Sequence, residues 1–219
     1  MAVFQLDNDL WFPDPHLGEA DGLVAVGGDL SVDRLILAYS NGFFPWYSFR
    51  DGEPLWYCPL QRFVIFPKEI HVSHSMRQLL KKDCYRLSFN EDFDGVIRGC
   101  ATVRNRNEEE GAWLGPDIIN AYTELHRQGF AASVEVWEGE HLVGGLYGVN
   151  LGTSFFGESM FSRVPSASKL ALIHLAHTLD RFGGRLIDCQ FETPHLRTMG
   201  GRLIPYEEYI GIIARDSWR

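Results

Sequence analysis

The sequence lacks the cysteine pattern of a metal-binding or disulfide-stapled domain. Its 219 residues contain four cysteines, which lie far apart and form no Cys-x-x-Cys pair. Zinc knuckles and disulfide frameworks depend on closely spaced or regularly paired cysteines. The sequence therefore favours a protein without a metal centre that works in a reducing compartment, the cytoplasm.

A long apolar run is also missing. No segment approaches the roughly 18 consecutive apolar residues of a membrane helix. The first residues, MAVFQLDNDLWFPDP, do not have the basic and then apolar layout of a signal peptide. We therefore expect no association with a membrane.

An excess of positive charge is the third absence. The net charge of −9 argues against a general nucleic-acid-binding protein. The charge is uneven, however, because six basic and two acidic residues lie between Arg62 and Arg86. A solvated helix face explains such a cluster as well as a phosphate-binding site does, so the cluster alone decides nothing.

The composition and the periodicity are those of a mixed α/β protein. Hydrophobic residues make up 45% of the chain, enough for a sizeable core. Turn residues predict irregular structure before residue 31, and aromatic residues with prolines predict it between residues 42 and 60. The predicted regular elements are strands at 63–67, 85–89 and 185–191, three strands within 132–159, and helices at 32–41, 73–82, 93–100, 116–129, 168–182 and 205–213. A change of composition near residues 60–75 predicts a small N-terminal domain, 1–65, and a larger domain, 66–219.

The segment RLIDCQF carries two polar residues on an apolar strand. A strand period of two places Asp188 and Gln190 on one face, with Cys189 on the other. Because the segment follows a long helix and two glycines, we expect a central strand that is shielded on both faces. Buried polar groups need partners, which a neighbouring loop or a ligand can supply. Both interpretations stay open for this pair alone.

The segment FFGESMFSR places one carboxylate, Glu158, among aromatic residues and a methionine. A buried charge costs several kcal/mol unless it is paired or hydrogen-bonded. The helix predicted at 168–182 connects this segment to the Asp188 strand, and such a crossover lays the two strands side by side in parallel. Glu158, Asp188 and Gln190 then converge on one cleft with an apolar wall, and a buried acid there suits a cationic ligand.

Aromatic residues are dense in the loop that precedes the first predicted strand. Trp46, Tyr47, Trp56 and Tyr57 have the planar rings that stack on nucleobases. Packing of the loop against the core explains any one of them at least as well.

Two functions from other classes are compatible with this pattern. A strand–helix–strand unit with a polar strand is typical of CoA-dependent N-acetyltransferases, but the segment SRVPSASK lacks the glycines that cradle a pyrophosphate at the helix start. A non-catalytic module that recognises basic N-termini through Glu158 is the second alternative.

A set of motifs in a fixed order resembles one bacterial family. The motifs are GGDLS…NGFFPW, EGAW, VGGLYGV, FFGESMFSR…ASK and GGRLIDCQ, and they span the chain from about residue 10 to residue 210. They resemble the leucyl/phenylalanyl-tRNA–protein transferases. That resemblance implies transfer of Leu or Phe, and Met less well, from aminoacyl-tRNA to proteins that begin with Arg or Lys, which marks them for N-end-rule degradation. It also implies an acetyltransferase-like (GNAT-type) mixed sheet flanked by helices behind a smaller N-terminal α/β domain, no cofactor, and a monomer.

The resemblance also implies a role for individual residues. Glu158 would meet the cationic N-terminal residue of the acceptor, and Asp188 and Gln190 would act in peptide-bond formation. Gln190 would orient the amine, while Asp188 polarises it or accepts its proton. The remaining implied sites are the donor side-chain pocket (Leu146, Phe155, Met160, Ile187), the terminal-adenosine site (Trp46 and Trp113, supported by Tyr39 and Tyr122) and the contacts to the tRNA acceptor stem (Arg62, Arg77, Lys81, Lys82).

Overall fold

The computed structural model describes residues 3–46, 52–102 and 114–214. Within these ranges the chain forms two mixed sheets, one of four strands and one of seven, with helices packed on them. None of the helices in these ranges is both long and apolar enough to cross a membrane.

The smaller sheet is built from the N-terminal part of the chain. Its strands have the order β1-β2-β4-β3, with β1 parallel to β2 and the other pairs antiparallel: β1 (Phe4–Leu6), β2 (Leu23–Gly27), β3 (Phe44–Trp46) and β4 (Leu55–Tyr57). The expectation of irregular structure in these segments is wrong. The strands are three to five residues long, too short for an alternating pattern to stand out. Trp56 is fully buried and donates its indole N–H to the carbonyl of Gly27, so this tryptophan packs the core.

The larger sheet has the order β11-β5-β10-β9-β8-β7-β6. Its strands are β5 (Gln61–Ile65), β6 (Arg86–Phe89), β7 (Ala131–Glu138), β8 (His141–Leu151), β9 (Ser154–Ser162), β10 (Leu186–Asp188) and β11 (Arg202–Pro205). Strands β9 and β10 are parallel and neighbouring, which confirms the crossover predicted from the sequence, and the other pairs are antiparallel. The strand predicted at 185–191 ends early, at Asp188, and β11 was not predicted.

Helices cover both faces of the larger sheet. One hydrophobic cluster joins the sheet to α1 (Val32–Ser40), α3 (Phe93–Thr102), α4 (Pro116–Arg127) and α7 (Tyr206–Ile213). A second cluster on the opposite face joins it to α2 (His74–Lys81), α5 (Ala167–Arg181) and α6 (Pro194–Thr198). Ser31 and Ser73 accept backbone N–H groups at the starts of α1 and α2, as their sequence positions predict. Short 3-10 helices lie at Pro15–Leu17 and Pro67–Glu69.

The passage from the smaller to the larger sheet falls between β4, which ends at Tyr57, and β5, which begins at Gln61. Strand β5 pairs with β10 and β11, so Gln61–Ile65 belongs with the larger sheet. The boundary predicted after residue 65 leaves β5 with the N-terminal part, so we propose that a division into two domains falls at residues 58–60 instead. Helix α1 nevertheless shares a hydrophobic cluster with α4, so the two sheets pack on a common core.

Candidate active site

A cleft opens where two parallel strands part. Strands β9 and β10 pair only from Ser154–Phe156 to Leu186–Asp188. Beyond these residues β10 ends, whereas β9 continues to Ser162. The resulting cleft has a volume of about 1100 Å³, and its lining includes Glu158, Asp188 and Gln190. The convergence of these three residues, which the strand arrangement predicted, is confirmed.

A β-bulge in β9 sets the direction of Glu158. Tyr147 on β8 pairs with Ser159, and Gly148 pairs with Gly157, so Glu158 is an extra residue without a partner on β8. Gly148 must lack a side chain here, because a Cβ atom would lie 2.1 Å from the carbonyl oxygen of Phe156. Because of the bulge, Glu158 lies outside the regular pairing of β8 and β9 at the point where the cleft begins.

The same bulge assembles an apolar pocket. Strict alternation would send Phe155 and Met160, which are separated by an odd number of positions, to opposite faces of β9. The extra residue brings both to one face, where Met160 lies opposite Leu146 and Phe155 lies opposite Ile187. These four residues line the cleft and belong to the cluster that packs against α5. The structure thus brings together all four residues of the implied donor pocket.

Glu158 accepts three hydrogen bonds from three separate parts of the chain. Its Oε1 accepts from the hydroxyl of Tyr39 on α1 at 2.7 Å and from the side-chain amide of Gln190 at 3.0 Å. Its Oε2 accepts from the hydroxyl of Tyr122 on α4 at 2.9 Å. Burial raises the pKa of Glu158 to about 7, and the two tyrosine hydroxyls oppose this rise only in part.

The two tyrosines also contact each other, and this contact bears on the proton held by Glu158. The hydroxyl oxygens of Tyr39 and Tyr122 lie within hydrogen-bonding distance. If Glu158 is ionised, the two hydroxyl protons can form hydrogen bonds in only two of the three oxygen–oxygen contacts among these residues. A proton on Glu158 supplies the third and closes a ring in which each group donates once and accepts once. The arrangement therefore supports both forms of the carboxyl group.

Asp188 is saturated with hydrogen bonds, which corrects two expectations. Nε and Nη2 of Arg62 donate to its carboxylate oxygens at 2.7–3.0 Å, the hydroxyl of Tyr209 donates at 2.7 Å, and the backbone N–H of Gln190 donates at 2.8 Å. Asp188 and Arg62 are both fully buried. With its oxygens occupied, Asp188 is not placed to accept a proton from an amine. Arg62 faces Asp188 rather than solvent, so its expected contact with tRNA is wrong.

Four other residues of the implied RNA sites lie at the surface. Trp46 is partly exposed, lines the cleft and makes edge-on ring contacts with Tyr57 and Phe191. Trp113 lies outside the described residues. The three remaining basic residues are exposed on or next to α2, which packs against the cleft helix α5: Arg77, Lys81 and Lys82.

Sequence reasoning assigned a wrong role to Arg62 and did not recognise Tyr209 and His195. Arg62 is a single basic residue in the apolar strand QRFVI, and its charge complements that of Asp188 in another apolar strand, so charge pairing could have revealed it. No sequence signal distinguishes Tyr209 within α7. His195 also lines the cleft, and its Nε2 is buried without a hydrogen-bond partner among the described residues. Burial, followed by the nearby charge of Lys169, lowers the pKa of His195.

The arrangement has the parts of an acyl-transfer site. An apolar pocket can hold an apolar acyl group, and a shielded carboxylate beside it can receive an amine. Among the described residues, no group of three or more His, Cys, Asp or Glu side chains is placed to hold a metal ion.

Comparisons with known proteins agree with this class. The family model of leucyl/phenylalanyl-tRNA protein transferase matches residues 64–214, and the model of its N-terminal domain matches residues 28–60. Curated relatives named leucyl/phenylalanyl-tRNA–protein transferase include one from Syntrophobacter fumaroxidans, 49% identical over 99% of this chain and 92% of its own length. Another, from Syntrophus aciditrophicus, is 50% identical over 100% of this chain and 91% of its own length.

Among solved structures, the chain is similar to L-PGS from Bacillus licheniformis at a TM-score of 0.43 and 14% identity, over 80% of this chain and 57% of that one. This similarity is too low to support an argument about the fold. The family-model match and the relatives are sufficient. The chain belongs to the leucyl/phenylalanyl-tRNA–protein transferase family.

Proposed function

We propose that the chain transfers Leu or Phe, and Met less well, from aminoacyl-tRNA to the N-terminal Arg or Lys of acceptor proteins and so marks them for N-end-rule degradation. Membership in the family supports the reaction type, an aminoacyl transfer. The observation that carries the assignment of the site is the meeting of the apolar pocket and Glu158 in one cleft beside Trp46. The proposal includes an acetyltransferase-like fold, a cytoplasmic location and a monomer.

The donor binds in the apolar pocket. Leu146, Phe155, Met160 and Ile187 surround the Leu or Phe side chain, and the flexible Met160 lets the pocket fit both shapes. Trp46 and Trp113 hold the terminal adenosine. Tyr39 and Tyr122 are fully buried, so they support the residues of this site from within the core.

The acceptor binds at Glu158. A protein that begins with Arg or Lys brings two cations, its α-ammonium group and its side chain, and Glu158 offers the negative charge that is not already paired with a guanidinium. We assign Glu158 to the α-amino group, because a carboxyl group with a pKa of about 7 is well matched to take a proton from an amine. The alternative is that Glu158 meets the cationic side chain of the acceptor's first residue, and the experiment below distinguishes the two.

The reaction then follows from the position of these groups. The aminoacyl ester is already activated, so alignment of the amine with the ester carbonyl is the main task. The α-ammonium group first loses one proton to solvent, and the neutral amine then loses a second proton to Glu158 as its nitrogen attacks the carbonyl carbon and a C–N bond forms. The C–O bond to the ribose breaks, its electron pair stays on the ribose oxygen, and the proton passes to that oxygen. Gln190, whose amide N–H donates to Glu158, presents its carbonyl oxygen to the amine.

The test uses charged Leu-tRNA with peptides that begin with Arg or with citrulline, a neutral analogue of Arg. If Glu158 receives the α-amino group, Glu158→Gln lowers transfer to both peptides by the same factor, about tenfold to a hundredfold for a lost charge-assisted hydrogen bond. If it reads the side chain, the variant loses activity with the Arg peptide alone. Glu208→Gln, which neutralises an exposed carboxylate on α7, is the control. Absence of transfer by the parent protein, or acetylation of the peptides from acetyl-CoA instead, contradicts the proposed function.

A further inference from the structure

The guanidinium of Arg62 is held by an ion pair and by two aromatic rings, while its Nη1 is buried without a hydrogen-bond partner among the described residues. It is fully buried on β5, and it donates from Nε and Nη2 to Asp188. The rings of Phe44 and Tyr209 lie over it, with their centroids 4.6 and 4.8 Å from its central carbon. Stacking on two rings in addition to a two-pronged ion pair leaves the guanidinium a single geometry.

Asp188 connects the position of Arg62 to the backbone of Gln190. Its Oδ1 accepts the backbone N–H of Gln190, the pattern of a turn closed by an aspartate side chain. Gln190 has a φ of 58°, a left-handed conformation that residues other than glycine adopt at a cost. The surrounding contacts must therefore hold it. Besides Asp188, the only such backbone contact given by the described residues is the N–H of Phe63 on β5, which donates to the carbonyl of Gln190 at 3.2 Å.

The result of this chain of contacts is the direction of one side-chain amide. With its backbone held left-handed, Gln190 reaches Glu158 from the end of β10 at 3.0 Å. A right-handed or extended backbone at this position would point the side chain elsewhere. The position of Gln190 beside Glu158 thus depends on a charge, Arg62, that touches neither of them.

We propose that Arg62 and Tyr209 are positioning residues of the transfer reaction: they hold the carboxylate of Asp188, which fixes the backbone of Gln190 and thereby aims its amide at Glu158. Asp188 then acts through geometry and not through proton transfer. A buried ion pair is often no more stabilising than apolar residues of the same size. The ion pair of Arg62 and Asp188 matters here because it imposes one orientation on the carboxylate. The inference rests on the proposed function of the cleft.

The first experiment removes the pair in two steps. Arg62→Met and Asp188→Asn each leave an unmatched polar or charged group and should lower kcat strongly, with little change in KM for either substrate. The double variant has no unmatched charge, and its asparagine can still accept the N–H of Gln190. It should therefore recover kcat by about tenfold or more over Asp188→Asn, as expected when an unpaired buried charge is relieved. Unchanged kcat in Arg62→Met overturns the proposal, because the carboxylate would then act without the guanidinium that holds it.

The pH profile separates geometry from proton transfer. Glu158 is faced by Tyr39 from α1, Tyr122 from α4 and Tyr147 from β8, whose pKa values burial raises, and through Gln190 by the pair of Asp188 and Arg62. Because the double variant keeps Glu158, its rate should still rise with pH through about 7. Loss of this step in the double variant overturns the proposal.

Tyr209→Phe provides a variant that keeps the ion pair. Removal of one hydroxyl should lower kcat about threefold to tenfold without a change in KM, the effect of one lost hydrogen bond. Unchanged kcat in Tyr209→Phe overturns the role of Tyr209, whether or not the Arg62 variants fold. Thermal unfolding of each variant normalises the rates to folded protein. Unaltered transfer by Glu158→Gln would instead refute the proposed function of the cleft, and the two failures are therefore distinguishable.

Discussion

Glu158 and Asp188 are shielded carboxylates in the same cleft, and their partners give them different properties. Asp188 faces a guanidinium and accepts from four donor groups, so it is a fixed structural anion. Among the described residues, Glu158 accepts only from neutral hydroxyl and amide groups, and burial is the largest influence on its pKa. Two carboxyl groups whose environments give them different pKa values commonly take different roles in a reaction.

The pH dependence of transfer should report Glu158. Its pKa is raised to about 7, so the proton-accepting carboxylate form disappears as the pH falls through about 7, and kcat should fall with it. In Glu158→Gln this step should vanish, and only the titration of the acceptor amine, near pH 8 by its reference value of about 7.7–8.0, should remain. Measurement of kcat from about two units below the first value to about two units above the second, roughly pH 5 to 10, tests this assignment. A parent profile that is flat through pH 7 contradicts the assignment.

The donor pocket should determine which amino acid is transferred. Leu146→Trp fills it and should lower transfer of Phe more than transfer of Leu. Phe155→Ala removes contact area and should lower both, by about 1–3 kcal/mol in transition-state binding. Rates with Leu-, Phe-, Met- and Ile-tRNA test this. The matched controls are Leu203→Trp and Phe89→Ala, which make the same changes at exposed positions. Constant ratios among the donors in all variants would show that these residues do not form the pocket.

At the scale of elements, the bulge in β9 joins two functions in one strand. It turns Glu158 toward Tyr39 and Tyr122, and it brings Phe155 and Met160 to the same face. In a regular strand Phe155 and Met160 would face opposite sides, so the pocket beside Glu158 would be incomplete. The register of β8 and β9 is therefore part of the site.

Gly148→Ala should damage both parts together. Its Cβ would lie 2.1 Å from the backbone of Phe156, a distance that forces the strands apart. We expect a loss of about 1–3 kcal/mol in the free energy of unfolding, as for overpacking in a core, and a loss of transfer with every donor. Gly211→Ala on α7 has open space around its Cβ and should leave stability equal or about 0.5–1 kcal/mol higher. Urea unfolding and transfer assays compare the two. Equal behaviour of both variants would rule out a special role for the bulge.

Most of the larger sheet could be predicted from the sequence, but the register of β8 and β9 could not. The parallel pairing of β9 and β10 could be predicted because a long helix connects two apolar strands. The bulge could not, because an extra residue is defined by the partner strand, and alternation within β9 does not reveal it. The strands of the smaller sheet were missed because three to five residues contain too few repeats. Arg62 was misassigned because a charge cluster in sequence says nothing of which member faces inward.

At the scale of the whole molecule, an acidic protein has to bind an acidic polymer. The net charge of −9 repels tRNA at long range, so binding must depend on a local basic surface. With Arg62 buried, the exposed candidates are Arg77, Lys81 and Lys82 on or next to α2. Helix α2 packs against α5, whose residues line the cleft, so a tRNA that rests on α2 can bring its 3′ end to the pocket.

The salt dependence of tRNA binding should identify this surface. A small number of phosphate contacts implies a shallow slope, since log K falls by about 0.7–0.9 per phosphate for each tenfold rise in salt. Lys81→Ala with Lys82→Ala should weaken binding and reduce the slope by up to about 1.4–1.8, whichever amino acid the tRNA carries. The control is Arg127→Ala with Arg181→Ala, which makes the same change in net charge at exposed positions at the ends of α4 and α5. Both doubles increase the long-range repulsion equally, so only a direct phosphate contact makes their slopes differ. If the two slopes agree, the basic residues of α2 are a solvated face, and the acceptor stem binds elsewhere.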